Sequence, residues 1–245
     1  MNLSLVHALE RATLNALPSP RVVFDGPFVV RSFLGGTGRA NAACSLDPAP
    51  DPELAQRVTR VAAHYRRLGM TPRFRSAPLD PPGLEALLRA GGWAEADESH
   101  VTHGRVAAQA DPAVRILTAP DATWFDVLGT VEYQSAARKA EKQEAVPLFA
   151  IPATWLVLEE EGRAAAAMSA TCDGRFTGIF DLAVRPEFRR RGLAQRMIRA
   201  AAAWGEGLGA KTCFAQVAIT NTASVALQAG LGLTEAYRYR YFVLR

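Results

Sequence analysis

The chain has 245 residues, of which 49% are hydrophobic and 21% charged, and it carries a net charge of +4 at pH 7. This composition is typical of a globular protein with a sizeable core. A membrane span is not predicted, because the sequence has no run of about eighteen apolar residues. The basic excess is confined to short clusters, which argues against the wide basic face with interleaved aromatics of a nucleic-acid-binding protein.

The N-terminal stretch and the cysteines indicate the compartment. Glu10 and Arg11 lie where the core of a signal peptide would be apolar, and the stretch predicts an amphipathic helix instead. The cysteines are few, odd in number and far apart: Cys44, Cys172 and Cys213. We therefore expect a cytoplasmic protein with reduced, mostly buried thiols and no membrane association.

The first part of the chain alternates helices with short strands. After the N-terminal helix, two β-like runs flank an Asp-Gly-Pro break, and Gly35–Gly38 is interpreted as a hairpin turn because no Gly-Lys-Ser/Thr follows it. Further elements are predicted at 52–68 (helix), 71–76 (strand), 83–90 (helix) and 100–106 (strand).

A polar break at Ala107–Pro112 is the predicted domain boundary, which divides the chain into residues 1–110 and 111–245. Beyond it we expect a strand at 113–118, helices from 120 and 133, a hairpin of 154–159 with 163–172, a strand at 176–184, a long helix from 193, a strand at 211–218, a helix at 221–230 and a last strand at 233–244.

The turn between the strand at 176–184 and the long helix carries the most chemistry. It reads Arg189-Arg190-Arg191-Gly192-Leu193-Ala194. The first amides of a helix have no intrahelical acceptor, and Gly192 has no Cβ to keep a ligand away from them. Free N–H groups at a positive helix end favour a phosphate, and arginines add charge and direct contacts.

This segment, LAVRPEFRRRGLAQRMI, resembles the acetyl-coenzyme A signature of the GCN5-related N-acetyltransferases (GNATs). The family's pyrophosphate pattern is Gln or Arg, two residues, Gly, one residue, then Gly or Ala, and Arg189, Gly192 and Ala194 fill it. The resemblance implies an α/β fold with an α+β mixed sheet over residues 113–245. Acetyl-coenzyme A is the implied co-substrate, bound by residues 189–194, and no metal is expected.

A weaker internal similarity concerns the first half of the chain. LRAGGW at 88–93 mirrors LQAGLGL at 227–233, since each has a helix end, a glycine stop and an apolar strand entry. The first half has nothing similar to RRRGLA. We interpret it as a truncated, degenerate GNAT-like copy, with an unrelated α+β cap as the alternative.

The family pattern also implies contacts along the coenzyme arm. Backbone amides of Leu182, Ala183 and Val184 would face the thioester and pantetheine, where the strand bulges away from its neighbour. In the second family motif, Asn221 is retained and would bond the pantetheine or adenosine side. Gln228 stands where the family usually has a tyrosine, so the proton for the departing thiolate must come from elsewhere.

Three side chains are the candidate catalytic residues. Asp181 interrupts an apolar strand and would orient an ammonium or relay its proton, with burial raising its pKa; the alternative is a structural carboxylate. Glu132 is a second candidate base, or a surface carboxylate. Tyr237 is a substitute acid, as is Tyr239, although aromatic residues of a strand more often serve packing.

Other functions receive less support from the sequence. His100 and His103 have no third ligand nearby, so a zinc site is not expected. The favoured function is an N-acetyltransferase acting on a small amine or an amino acid derivative. The alternatives are a catalytically weak coenzyme-binding sensor or scaffold, and an acetyltransferase of protein N-termini or lysines. A nucleic-acid partner for the arginine cluster is not favoured, and a homodimer is left open.

Overall fold

The computed structural model describes all 245 residues, and the chain forms seven α-helices and eleven β-strands joined by loops. The helices are α1 (Leu3–Ala16), α2 (Leu54–Arg67), α3 (Leu84–Ala90), α4 (Ala122–Leu128), α5 (Ala136–Ala145), α6 (Leu193–Glu206) and α7 (Thr222–Gly230). The strands are β1 (Arg21–Asp25), β2 (Phe28–Ser32), β3 (Ala43–Ser45), β4 (Arg73–Ser76), β5 (Ala94–Gly104), β6 (Val114–Leu117), β7 (Ala153–Glu160), β8 (Arg163–Cys172), β9 (Phe176–Val184), β10 (Thr212–Ala218) and β11 (Thr234–Val243).

The predicted elements are present in the predicted order, and β5 is the one whose extent differs most. It begins at Ala94 rather than near His100, because the polar segment before His100 pairs with β11. Ala, Glu and Asp have low strand propensity, so the pairing with β11, and not the local sequence, extends this strand.

All strands belong to one sheet in the order β1-β2-β3-β4-β11-β5-β10-β9-β8-β7-β6. Two stretches repeat the same arrangement. Parallel β3 and β4 are joined by α2, and parallel β9 and β10 are joined by α6. Helical crossovers are the usual link between parallel strands.

The two halves of the chain exchange their last strands. β5 ends the first half and pairs with β10 of the second, whereas β11 ends the second half and pairs with β4 of the first. β5 and β11 pair with each other at the centre. The truncated copy expected from the sequence is therefore visible in the topology. The predicted boundary after residue 110 falls between β5 and β6, and the sheet continues across it.

Helices cover both faces of the sheet. Leu156 and Leu158 of β7 join the cluster beneath α6, whereas Trp155 and Val157 join the cluster beneath α4. This alternation follows from the two-residue period of a strand. None of the helices has both the length and the apolar character needed to cross a membrane.

Candidate active site

The strand β9 is distorted at Asp181 and Leu182. Phe180 pairs with Ser169 of β8 and Ala183 pairs with Ala167, so two residues of β9 oppose one of β8. Asp181 has a φ of +56°, a left-handed conformation that is unusual outside glycine. This is a β-bulge, which redirects side chains and bends the strand.

On its other edge β9 separates from β10. Their parallel pairing runs only from Phe176 with Thr212 to Ile179 with Ala215. Beyond these residues the two strands no longer pair with each other, although each still pairs with its other neighbour, and residues 180–184 of β9 have one edge free of a neighbouring strand. Such an edge can bind an extended ligand through main-chain hydrogen bonds.

The separated strands form the floor of a cleft of about 470 Å³. Its walls come from both halves of the chain: the loop at 36–39, the rim at Arg73, Asp97 and Ser99, the start of α5, α7 and the end of β11. A smaller pocket of about 50 Å³, lined mainly by hydrophobic residues, adjoins the cleft at Asp181 and Lys142.

The start of α6 has the geometry expected of a phosphate site. Gly192 caps the helix with a φ of +79°, and a Cβ built on it would meet no atom within 4 Å. No backbone N–H of residues 190 to 194 donates a hydrogen bond within the protein. These free donors at a positive helix end fit a diphosphate, with Leu193 anchoring the turn in the core.

The three arginines of this turn differ in their contacts. Arg191 pairs with Glu161 at 2.6 Å, and Arg189 donates from Nε to the carbonyl oxygen of Val184 at 3.2 Å. Arg190 is exposed, with a φ of +64°. Arg190 is therefore the arginine whose donors remain available to a phosphate, whereas the other two help to hold the turn.

Asp181 is held by two neighbours. Lys142 of α5 lies 2.5 Å from its Oδ1, and the Ser169 hydroxyl donates to Oδ2 at 3.1 Å. Burial opposes ionisation, but the charges of Lys142 and Arg39 outweigh it, so the pKa of Asp181 is lowered. The expectation that burial would raise this pKa is therefore wrong, because the sequence did not reveal the lysine.

Tyr237 does not reach the cleft. Its hydroxyl donates to Oε1 of Glu10 at 2.6 Å, and Glu10 also pairs with Arg75. All three side chains are buried, and burial followed by the Glu10 charge raises the pKa of Tyr237 well above its usual value. Tyr237 is thus a structural residue. The tyrosines that line the cleft are Tyr133, Tyr239 and Tyr241.

Glu132 also lies outside the cleft. It is an exposed residue of the turn between α4 and α5 and lines neither the cleft nor the pocket beside Asp181. The surface alternative is the correct one for this carboxylate. Its neighbour Tyr133 does line the cleft, although 47% of its surface is exposed.

The residues of the second family motif occupy the β10–α7 wall. Gln228 is buried and accepts a hydrogen bond from the Thr102 hydroxyl of β5 at 2.7 Å. Asn221 caps α7 by accepting from the Ser224 amide at 3.1 Å. Both line the cleft, so Asn221 keeps its side-chain amide group free to donate there.

The glycine turn of the first half is an anion-binding nest filled by the protein itself. The Glu141 carboxylate of α5 accepts from the amides of Leu34, Gly36 and Thr37 and from Asn41 Nδ2, at 2.6 to 3.2 Å. A Cβ on Gly36 would lie 2.8 Å from the Ala137 carbonyl oxygen, so glycine permits the close approach. The hairpin interpretation missed this contact, because nothing local links residue 141 to residue 36.

Comparisons with known proteins find similarity along nearly the whole chain. A family model described as "Probable histone acetyltransferase Rv0428c C-terminal" matches residues 4–242. A protein of Bacillus subtilis (strain 168), "Uncharacterized N-acetyltransferase YobR", is 22% identical over 248 residues, covering 98% of this chain and 99% of that protein.

Solved structures share the fold along the whole chain. A GCN5-related N-acetyltransferase from Kribbella flavida superimposes with a TM-score of 0.69 at 14% identity, covering 99% of this chain and 95% of that one. A tandem GNAT protein from the clavulanic acid biosynthesis pathway gives 0.60 at 13% identity, covering 100% and 87%. At these identities the similarity establishes the fold alone.

Proposed function

The chain belongs to the family described as "Probable histone acetyltransferase Rv0428c C-terminal", within the GNAT superfamily, and from this membership we propose its donor and its acceptor. It is an N-acetyltransferase of the GNAT type. The donor is acetyl-coenzyme A, which supplies the acetyl group as a thioester. The acceptor is a primary amine of a small molecule or an amino acid derivative.

The main support for acetyl-coenzyme A as the donor is the start of α6, where backbone N–H groups have no hydrogen-bond acceptor, beside the point where β9 and β10 separate. Amides 190–194 and Arg190 bind the diphosphate. The unpaired edge of β9 at 180–184 binds the extended arm, which brings Leu182, Ala183 and Val184 alongside the thioester. The Asn221 side-chain amide donates from the opposite wall.

The acceptor site lies around Asp181. Its pKa is lowered, so the carboxylate stays ionised and orients the attacking amine rather than serving as a strong base. The amine forms the new C–N bond as the C–S bond breaks, and its proton leaves through the open cleft to water. Tyr239, which lines the cleft, donates the proton that the departing sulfur needs.

A second candidate function rests on Gln228. This amide cannot supply a titratable proton, and its carbonyl oxygen is already bound by Thr102. A coenzyme-binding sensor or scaffold with little catalysis would retain the α6 site and lack the acid. Release of free thiol with amines separates the two candidates.

The test of the donor site compares two glycines in the same backbone state. Gly192 and Gly83 both cap helices, with φ of +79° and +89°, and a Cβ on either meets no atom within 4 Å. Valine at either position adds a similar backbone strain of about 1–2 kcal/mol. In Gly192→Val, however, the side chain also covers the free amides.

We expect acetyl-coenzyme A to raise the melting temperature of the wild type and of Gly83→Val, because a ligand that binds only the folded state stabilises it. Gly192→Val should remain folded and lose this response. Equal coenzyme affinity in the two variants would show that the diphosphate does not lie at α6. A thiol-release screen over amines then tests transfer, and coenzyme binding without release from any amine would favour the sensor.

A further inference from the structure

Three arginines of the cleft lie over aromatic rings and are not members of any ion pair. The guanidinium-to-ring distances are 5.3 Å for Arg39 over Phe180, 5.6 Å for Arg73 over Tyr241 and 5.8 Å for Arg138 over Tyr133. Stacking on a ring orients a guanidinium but does not neutralise it, so its N–H donors remain available.

The three groups converge on the loop at 36–39. A Cβ on Gly36 would lie 3.0 Å from the Arg138 Cα, and one on Gly38 would lie 2.8 Å from the Tyr241 hydroxyl, the ring on which Arg73 stacks. Arg39 belongs to this loop itself and donates to Gln216 Oε1 at 3.2 Å. The arginines therefore surround one region of the cleft, on the side formed by the first half of the chain.

The charge of this region is unbalanced. The cleft is lined by four basic side chains and two acidic ones. Lys142 and Asp181 neutralise each other, and Asp97 is an exposed residue of the rim. Arg39, Arg73 and Arg138 are each half-buried, and half-buried cations without an acidic partner favour an anion from outside the protein.

We propose that the acceptor amine carries an anionic group, a carboxylate or a phosphate, and that Arg39, Arg73 and Arg138 bind it. This inference rests on the proposed function, because it places the acceptor on the Asp181 side of the cleft. The diphosphate of the donor has its own site at α6, so these arginines serve the acceptor. A lysine-rich peptide would be repelled by the same charges.

The experiment uses matched pairs of acceptors at equal free-amine concentration. One arm compares β-alanine with β-alaninamide, and the other compares O-phosphoethanolamine with ethanolamine; a lysine-rich peptide is the third acceptor. We expect kcat/KM to be at least about tenfold higher for the anionic member, as for hydrogen bonds to charged groups. The arm with the larger ratio identifies the anion.

The variants are the double substitution Arg73→Gln with Arg138→Gln, and the control Arg175→Gln. Arg175 also lies over a ring, 4.8 Å from Phe176, but does not line the cleft. The double variant should bring the ratio close to one through KM, with unchanged affinity for acetyl-coenzyme A, and the control should keep the wild-type ratio. A preference for neutral or basic acceptors, or a parallel loss of coenzyme affinity, would overturn the inference.

A direct titration separates this inference from the proposed function. O-phosphoethanolamine and β-alanine are titrated calorimetrically into the wild type and the double variant, which requires no turnover. Weaker binding to the double variant supports the arginine site even if no acetyl transfer occurs, in which case the proposed function alone fails. Equal binding to both proteins would refute the arginine site.

Discussion

The Glu141 carboxylate of α5 lies 2.8 Å from the side-chain amide of Asn41, which joins the two halves of the chain beside the cleft. The same carboxylate accepts three backbone N–H groups of the loop at 34–37. The next residue along α5, Lys142, binds Asp181 on β9. One turn of α5 therefore holds both the first-half loop and the bulged strand.

Replacement of Glu141 tests this connection. In Glu141→Gln the new side-chain NH2 group faces backbone N–H groups, from which it cannot accept hydrogen bonds. We therefore expect the free energy of unfolding to fall by about 1–3 kcal/mol and the KM for the acceptor to rise. Glu144→Gln is the control, since Glu144 is exposed on the same helix. Chemical denaturation measures the first effect and steady-state kinetics the second; equal stability of the two variants would contradict it.

The pair Lys142–Asp181 leads to a prediction about pH. The folded pKa of Asp181 lies below its ordinary value of 3.8, so its contribution to stability is present above that pH and is lost as the pH falls through the folded pKa. Asp181 is thus already ionised at pH 6. In Asp181→Asn, kcat/KM should fall on the order of 100-fold. If the wild-type pH–rate profile falls towards low pH with a midpoint above pH 5, the variant should show the same fall, because a group other than Asp181 titrates there.

Removal of the lysine should move this titration. In Lys142→Met burial is less opposed, so the pKa of Asp181 rises and a new acid limb appears in the pH–rate profile. Lys139→Met, an exposed change on the same helix, should leave the profile as in the wild type. Identical profiles for both variants would mean that the Asp181 charge does not assist transfer.

Two tyrosines of β11 should respond differently to loss of the hydroxyl. Tyr237→Phe removes the bond to Glu10 and should lower the free energy of unfolding by about 1–3 kcal/mol with little change in kcat. Tyr239→Phe should lower kcat at least about tenfold with a smaller effect on stability, because in the proposed reaction its hydroxyl protonates the departing thiolate. The reverse assignment of the two effects would reject Tyr239 as the acid.

Asp80, in the loop between β4 and α3, predicts a pH dependence of stability with the opposite sign. Burial raises its pKa from 3.8 to about 7, although Ser76 and the Ala77 amide bind it. Between pH 3.8 and about pH 7 the unfolded state binds fewer protons at Asp80 than the folded state does, so the free energy of unfolding falls as the pH rises. Asp80→Asn should therefore exceed the wild type in stability most at pH 8, with the difference shrinking towards pH 4 in denaturation curves.

Local sequence was sufficient to predict the helices and strands, and also the helix start at which we propose that the donor binds. The strand at 176–184, the glycine at 192 and the helix that follows lie next to one another in the chain, so residue type and spacing alone indicate a helix start with free amides. The side chains around the acceptor could not be identified in this way. Lys142, Arg39 and Arg73 belong to no motif, and they meet only because α5, the first-half loop and β4 border the same cleft.

Tyr237 and Tyr239 illustrate the difference between what the sequence predicts and what only the tertiary structure decides. Their spacing places both on one face of a strand, and both are buried in the same cluster. Whether such a phenol meets a buried glutamate or an open cleft depends on α1 and on the strand exchange at the centre of the sheet. The sequence by itself determined the order of the helices and strands and the helix start that fits a diphosphate, because these depend on near neighbours along the chain. The tertiary structure decided the charges around the acceptor, because those side chains come from distant segments and interact only through space.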